Sequence, residues 1–148
     1  MGVIGQTSTS MRSNDEIFYG ADGRGYMNVY ASEDLTAKTP YAIMWDEYGT
    51  FAIAIASDNE SYIVGVPEKS WDSGTVARLY VKGLVEDVIT ASLAITAGHA
   101  VGISSGAVTD IAADYTGGAT EWGVCVTTTG SASTTQDIFL TGHLITAG

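Results

Sequence analysis

The sequence is short of the residues that build covalent and metal frameworks. Of its 148 residues, one is cysteine, two are proline and two are histidine. A single thiol, Cys125, makes no internal disulfide. Set between Val124 and Val126, it reads as a small buried hydrophobe rather than a nucleophile. Neither His99 nor His143 stands in an H-E-x-x-H or a Cys/His cluster, so no zinc site is expected. No G-x-S-x-G elbow and no G-x-x-x-x-G-K-[ST] loop is present. Tyr19-Gly-Ala-Asp-Gly-Arg-Gly-Tyr26 lacks the dinucleotide-binding glycine order. The paired acids Asp15-Glu16, Glu33-Asp34, Asp46-Glu47 and Glu86-Asp87 read as solvated turn charges, because neighbours on a strand point to opposite faces. The expectation is a protein that is not an enzyme and takes no cofactor or metal.

Positive charge is scarce too. Six Lys/Arg stand against 17 Asp/Glu, a net charge of −11. Nucleic-acid binding needs a basic stripe that displaces counterions from phosphate, so a nucleic-acid partner is not expected. No run reaches the ~18 apolar residues of a membrane helix, and the first ten residues have neither the charged nor the apolar region of a secretory signal. No membrane association is expected. Helical periodicity is missing throughout, and the β-branched residues of Leu84–Ser92 argue against a long helix there. That stretch reads as a connection with room for one helical turn.

What the sequence does have is short β runs punctuated by Gly, Ser, Asn and Asp. Tyr41-Ala-Ile-Met-Trp45 and Phe51-Ala-Ile-Ala-Ile55 flank a turn at Asp46–Gly49. The second run places Phe51, Ile53 and Ile55 on one face and alanines on the other. Val64-Gly-Val66 stops at Pro67, which cannot donate to a ladder. Further strands are expected over Val76–Val81, at Ala100–Ile103 with Ala107–Thr109, at Trp122–Val126 and at Ile138–Leu140. The order repeats. Leu35–Ile43 aligns with Leu93–Val101 and Ile63–Val66 with Glu121–Val124, both at an offset of 58. Leu79–Gly83 aligns with Ile138–Gly142 at 59. Similar elements in the same order at a nearly fixed offset indicate an internal duplication, placed at about 35–85 and 93–145. The fold class expected is all-β: a compact β-barrel or β-sandwich (β-tulip-like) of two similar halves over residues 35–148.

Residues 1–34 differ. Large apolar side chains (Met11, Ile17, Phe18, Tyr19 and Tyr26) are scattered among polar residues and glycines. This reads as an extended N-terminal arm that needs something to cover it. It packs either on its own barrel or across a neighbour, and the neighbour is favoured. Tyr26–Tyr30 alternates and suits addition to a sheet edge. Trp71, on the loop Glu68–Gly74, either anchors an interface or folds down to cap a barrel end.

The pattern of an apolar hairpin, an x-x-G-V strand, a polar loop and an apolar strand ending in x-G occurs twice. It resembles the small β-rich capsid cement (decoration) proteins of tailed bacteriophages. The second half, with Ala94-Ile-Thr-Ala-Gly98 before a hairpin, an Ala/Gly-rich loop and a Gly-Val strand, is similar to the lambda-type head decoration protein. The resemblance covers about residues 35–145. It implies a structural virion protein, made in the host cytoplasm and placed on the outer surface of the capsid. It implies the major capsid protein as partner, and a homo-oligomer, a trimer, on the head. The arm residues Met11, Ile17, Phe18, Tyr19 and Tyr26, with Trp71, are the expected contacts. A tail, baseplate or fibre module and a carbohydrate-binding β module are the alternatives.

Overall fold

The computed structural model describes residues 16–55, 62–93, 95–104, 107–111, 121–127, 133–142 and 144–145. Among them there is no helix. Eleven strands run in chain order: β1 (Phe18–Tyr19), β2 (Gly25–Ala31), β3 (Tyr41–Asp46), β4 (Gly49–Ala54), β5 (Tyr62–Gly65), β6 (Val76–Leu93), β7 (Ala100–Ser104), β8 (Ala107–Ile111), β9 (Glu121–Cys125), β10 (Ser133–Thr141) and β11 (Leu144–Ile145). They form one curled sheet in the order β11-β5-β3-β4-β2-β6-β10-β9-β7-β8, with β1 paired to β2. The first half closes on itself. Val66 and Tyr80 exchange backbone hydrogen bonds of 2.9 Å, so β5 meets β6 and completes the ring β5-β3-β4-β2-β6. The all-β, barrel-like class read from the punctuated apolar runs is the class of the folded chain.

The pairings repeat in register. Adding 58 to both members of Ala42–Ile53 gives Ala100–Ile111, and the same shift carries Asp46–Gly49 onto Ser104–Ala107. With 58 and 59, the bridge Val66–Tyr80 becomes Val124–Phe139. The same offsets turn Tyr26–Tyr80 and Met27–Leu79 into Leu84–Phe139 and Val85–Ile138. One ladder departs. Tyr41 pairs with Gly65, but Gly123 pairs with Val101 rather than His99, a two-residue slip that keeps every side chain on its own face. Even the backbone specials recur: Gly83 (φ 96°) and Gly142 (φ 70°) occupy the left-handed region at the same point of each copy, where only glycine sits without penalty.

Two expectations are corrected by these pairings. The arm does not extend to residue 34. Residues 25–31 form β2, which lies between β4 and β6, and Met27, Val29 and Ala31 are fully buried. The repeating unit therefore starts at Gly25 rather than Leu35, and its second copy starts at Gly83, inside β6. The stretch Leu84–Ser92 is no helical turn either; it is the second part of the 18-residue strand β6. Its apolar alternation is broken by a bulge. Val85 opposes Ile138 and Val88 opposes Gln136, so Glu86 and Asp87 together face Asp137. Asp87 takes φ 58°, and its N–H donates to Asp137 Oδ1 at 2.9 Å. The extra residue lets Val85 and Val88 both point inward.

The core has two parts that share β3. Tyr41 and Ile43 pack with Met27, Val29, Leu35, Leu79 and Val81 in the first half. Ala42 and Met44, on the other face of β3, pack with Val64, Val85, Trp122, Cys125 and Ile138. A strand buried on both faces joins the halves into one hydrophobic unit. Phe51 and Ile53 pack against the second cluster while Ala52 enters the first, which explains why β4 carries large residues on one face and alanine on the other. Cys125 is buried, and its thiol lies 3.0 Å from the Thr127 carbonyl oxygen.

Candidate partner-binding surface

The outward face of the β2–β6–β10 ladder carries Tyr26, Tyr80 and Phe139. β2 and β6 place Tyr26 directly opposite Tyr80. Their rings meet edge to face at 6.1 Å, and Phe18 of β1 stacks on Tyr26 at 5.7 Å. Arg24 lies over Tyr80 at 4.0 Å and Arg78 over Tyr26 at 4.1 Å. Each such contact contributes roughly 0.5–1 kcal/mol when exposed. Ile17 packs against the first-half core. Ile17, Phe18 and Tyr26 thus pack on their own chain, the less favoured of the two placements open from the sequence.

Tyr19 is different. It is 59% exposed and lies on the rim of a groove of about 850 Å³. The groove runs on to Leu84 and Phe139, a directly opposed pair on β6 and β10 that is 40% and 50% exposed. Tyr19, Leu84 and Phe139 thus place exposed apolar side chains beside the charged lining of this groove. Met11 lies outside the described residues.

Trp71 folds down. Its backbone pairs with Leu35 through hydrogen bonds of 2.8 and 2.9 Å, and its ring packs on the first-half core. Lys69 sits over that ring at 4.3 Å. The Trp71 face is therefore occupied from within the chain, which leaves no bare platform there for a sugar ring. A smaller groove of about 360 Å³ passes beside it and shares Glu68 with the larger one.

Positive charge gathers around the two grooves. Every lysine and arginine among the described residues (Arg24, Lys38, Lys69, Arg78 and Lys82) lines one of the two grooves. Glu68 is their hinge. It pairs with Arg24 and, at 3.1 Å, with Lys38, while Arg24 Nε reaches Asp22 Oδ2 at 2.7 Å. Partial burial pushes the Glu68 carboxyl up, but the hydrogen bonds donated by Arg24 and Lys38 outweigh it and hold the group below its ordinary value. The Asp22 carboxyl is lowered by the Arg24 backbone N–H and then by the guanidinium. No group of three His, Cys, Asp or Glu side chains among the described residues has the arrangement of a metal site.

These pairings give a pH dependence. Glu68 ionises more readily in the folded protein than in the unfolded chain. Its pairs therefore stabilise the fold above the ordinary glutamate value of 4.5, and the benefit is lost as pH falls through the lower folded value. Glu68→Gln is expected to cost less than about 1 kcal/mol near neutral pH, because the side chain stands partly in solvent. Thermal melts of the two proteins should converge as the pH falls through the lowered folded value. A gap that widens on acidification would contradict the assignment.

The contacts expected from the sequence include Tyr19 but not Leu84 or Phe139, which share its groove. The signal existed, since Tyr26 and Leu84 differ by 58 and Tyr80 and Phe139 by 59. The repeat visible by eye begins at Leu35 and Leu93, ten residues after the structural unit begins at Gly25 and Gly83. No family model matches the chain, and neither does any curated protein or any solved structure.

Proposed function

We propose that the protein is a structural virion component that binds the outer surface of a tailed-phage capsid and reinforces the assembled head by bridging capsid subunits. The partner is the major capsid protein, and the chain acts as a homo-oligomer on the head, a trimer in the family its sequence pattern resembles. The observation that carries this reading is the exposed Tyr19–Leu84–Phe139 surface, mounted on the rigid β6–β10 ladder and rimmed by charged side chains. A doubled β fold with apolar anchors is suited to static contact. Stable contacts bury about 1,200–2,000 Å² in total, and several modest contacts made together act multivalently. The net charge of −11 suits the outside of a shell whose contents are nucleic acid.

The test is co-sedimentation with heads stripped of this protein. Saturable binding at a fixed ratio to capsid protein is the expected result, and its absence would overturn the reading. The test of the N-terminal segment must remove residues 1–15 only, because residues 17–31 belong to the folded sheet. Loss of head binding by that shortened chain would place Met11 and its neighbours in the contact; unchanged binding would remove them from it.

A further inference from the structure

The β3–β4 hairpin ends in an exposed aromatic tip. Trp45, near the end of β3, is 41% exposed, and Tyr48, in the turn, is 47% exposed. The turn is fixed by a 2.8 Å hydrogen bond that the Tyr48 N–H donates to Asp46 Oδ1. Asp46 and Glu47, between the two aromatics in the chain, are exposed as well. The second copy has no such tip: at an offset of 58, Trp45 answers to Ile103 and Tyr48 to Gly106.

The smaller groove has the opposite character. Trp71, Tyr80 and Val76 supply its apolar walls, and Lys69 and Arg78 its charge. Neither cation is paired with a carboxylate among the described residues. Each lies over a ring instead, Lys69 on Trp71 and Arg78 on Tyr26. Glu68, also on the wall, is already neutralised by Arg24 and Lys38. The groove therefore carries uncompensated positive charge in a protein of net charge −11. The second copy lacks this too, because at an offset of 59 Asp137 stands in the place of Arg78.

We infer that the Trp45–Tyr48 tip of one copy of this chain enters the Trp71–Arg78 groove of another. The net charge opposes contact between copies, so a contact that forms must set acid against base, and tip and groove do so. Asp46 and Glu47 meet Lys69 and Arg78, while the rings fill the apolar walls. The groove, about 360 Å³, is near the lower end of the ~300–1,000 Å³ range of binding clefts, a size suited to one or two side chains. Aromatic anchors seated in pockets carry most of the energy of a protein contact. Tip and groove are different surfaces, so the contact is head to tail, and successive copies close into a ring or run on as a filament. This rests on the homo-oligomer of the capsid reading and names its interface.

The full chain is followed by sedimentation velocity up to millimolar concentration. Association is expected, and Trp45→Ala and Arg78→Glu should each weaken it about tenfold or more. Lys69→Glu should act in the same direction. All three residues are exposed, so each variant should melt close to the parent. The decisive sample is a mixture. Trp45→Ala keeps an intact groove and Arg78→Glu an intact tip, so together they should form pairs that neither forms alone, and nothing larger. The inference is overturned by a chain that stays monomeric, by association that the variants leave unchanged, or by a mixture that does not pair. A monomeric chain that still binds heads saturably would overturn the inference and leave the capsid reading standing. Head-to-tail pairing without head binding would sink the capsid reading alone.

Discussion

A chain shortened to begin at Ser32 is expected not to fold. It lacks β2, an inner strand of the sheet that pairs with β6 from Gly25 to Tyr30 and with β4 at Tyr30 and Ala31. Losing Met27 and Val29, both fully buried, empties the first-half core. Deleting one large aliphatic side chain from a core costs about 2–5 kcal/mol. Removing two, together with the ladder hydrogen bonds on both sides, exhausts a typical stability of about 5–15 kcal/mol. Far-UV circular dichroism and thermal melting decide it. A chain beginning at Glu16 keeps every described strand and should melt cooperatively. A cooperative melt from the chain beginning at Ser32 would mean that β2 is dispensable, and that residues 25–31 form a removable arm after all.

Alanine at Gly65 or at Gly123 is expected to destabilise the protein, and more at Gly123. These glycines are equivalent in the two copies and each lies under the last strand of its unit. A Cβ at Gly65 would stand 2.6 Å from Ile43 Cδ1 and 3.0 Å from Leu79 Cβ. A Cβ at Gly123 would stand 2.6 Å from Ile138 Cγ2 and 3.0 Å from the Phe139 carbonyl oxygen. Ile43 can turn its terminal methyl at some cost, whereas the backbone carbonyl has nowhere to go without breaking the β9–β10 ladder. Overpacking of this kind costs about 1–3 kcal/mol. Gly65→Ala should fall within that range and Gly123→Ala at its top or above. Melting temperatures should drop by roughly 3–10 °C. Unchanged melting for both variants would show that the strands do not approach as closely as the register requires.

The two predictions share a cause in the repeat, and they show where sequence reasoning stopped. The Gly-Val strands at Ile63–Val66 and Glu121–Val124 align by eye because glycine is forced at the close approach and apolar residues flank it. The first strand of each unit does not align by eye. Met27 and Val29 answer to Val85 and Val88, and the extra residue at the Glu86–Asp87 bulge puts the second pair out of step. A reader following strict alternation sees a loop in Leu84–Ser92 and an arm in Tyr26–Tyr30, although both are β strands of the same role.

Composition and local pattern by themselves determined that the protein is all-β, with two similar halves and an acidic charge balance. Those properties follow from residue type, from period-two alternation and from turn-forming punctuation, all of which are local. Which strands neighbour one another, and so which aromatic residues are covered, was decided by the tertiary structure. Tyr26 and Leu84 look equally exposed on a line of sequence. Only the folding of Phe18–Tyr19 back along β2 covers the first, and only the continuity of β6 through Gly83 leaves the second open. The gathering of five cations around the two grooves is of the same kind: spread singly from Arg24 to Lys82, they come together because β2, β6 and the loop bearing Glu68 meet there.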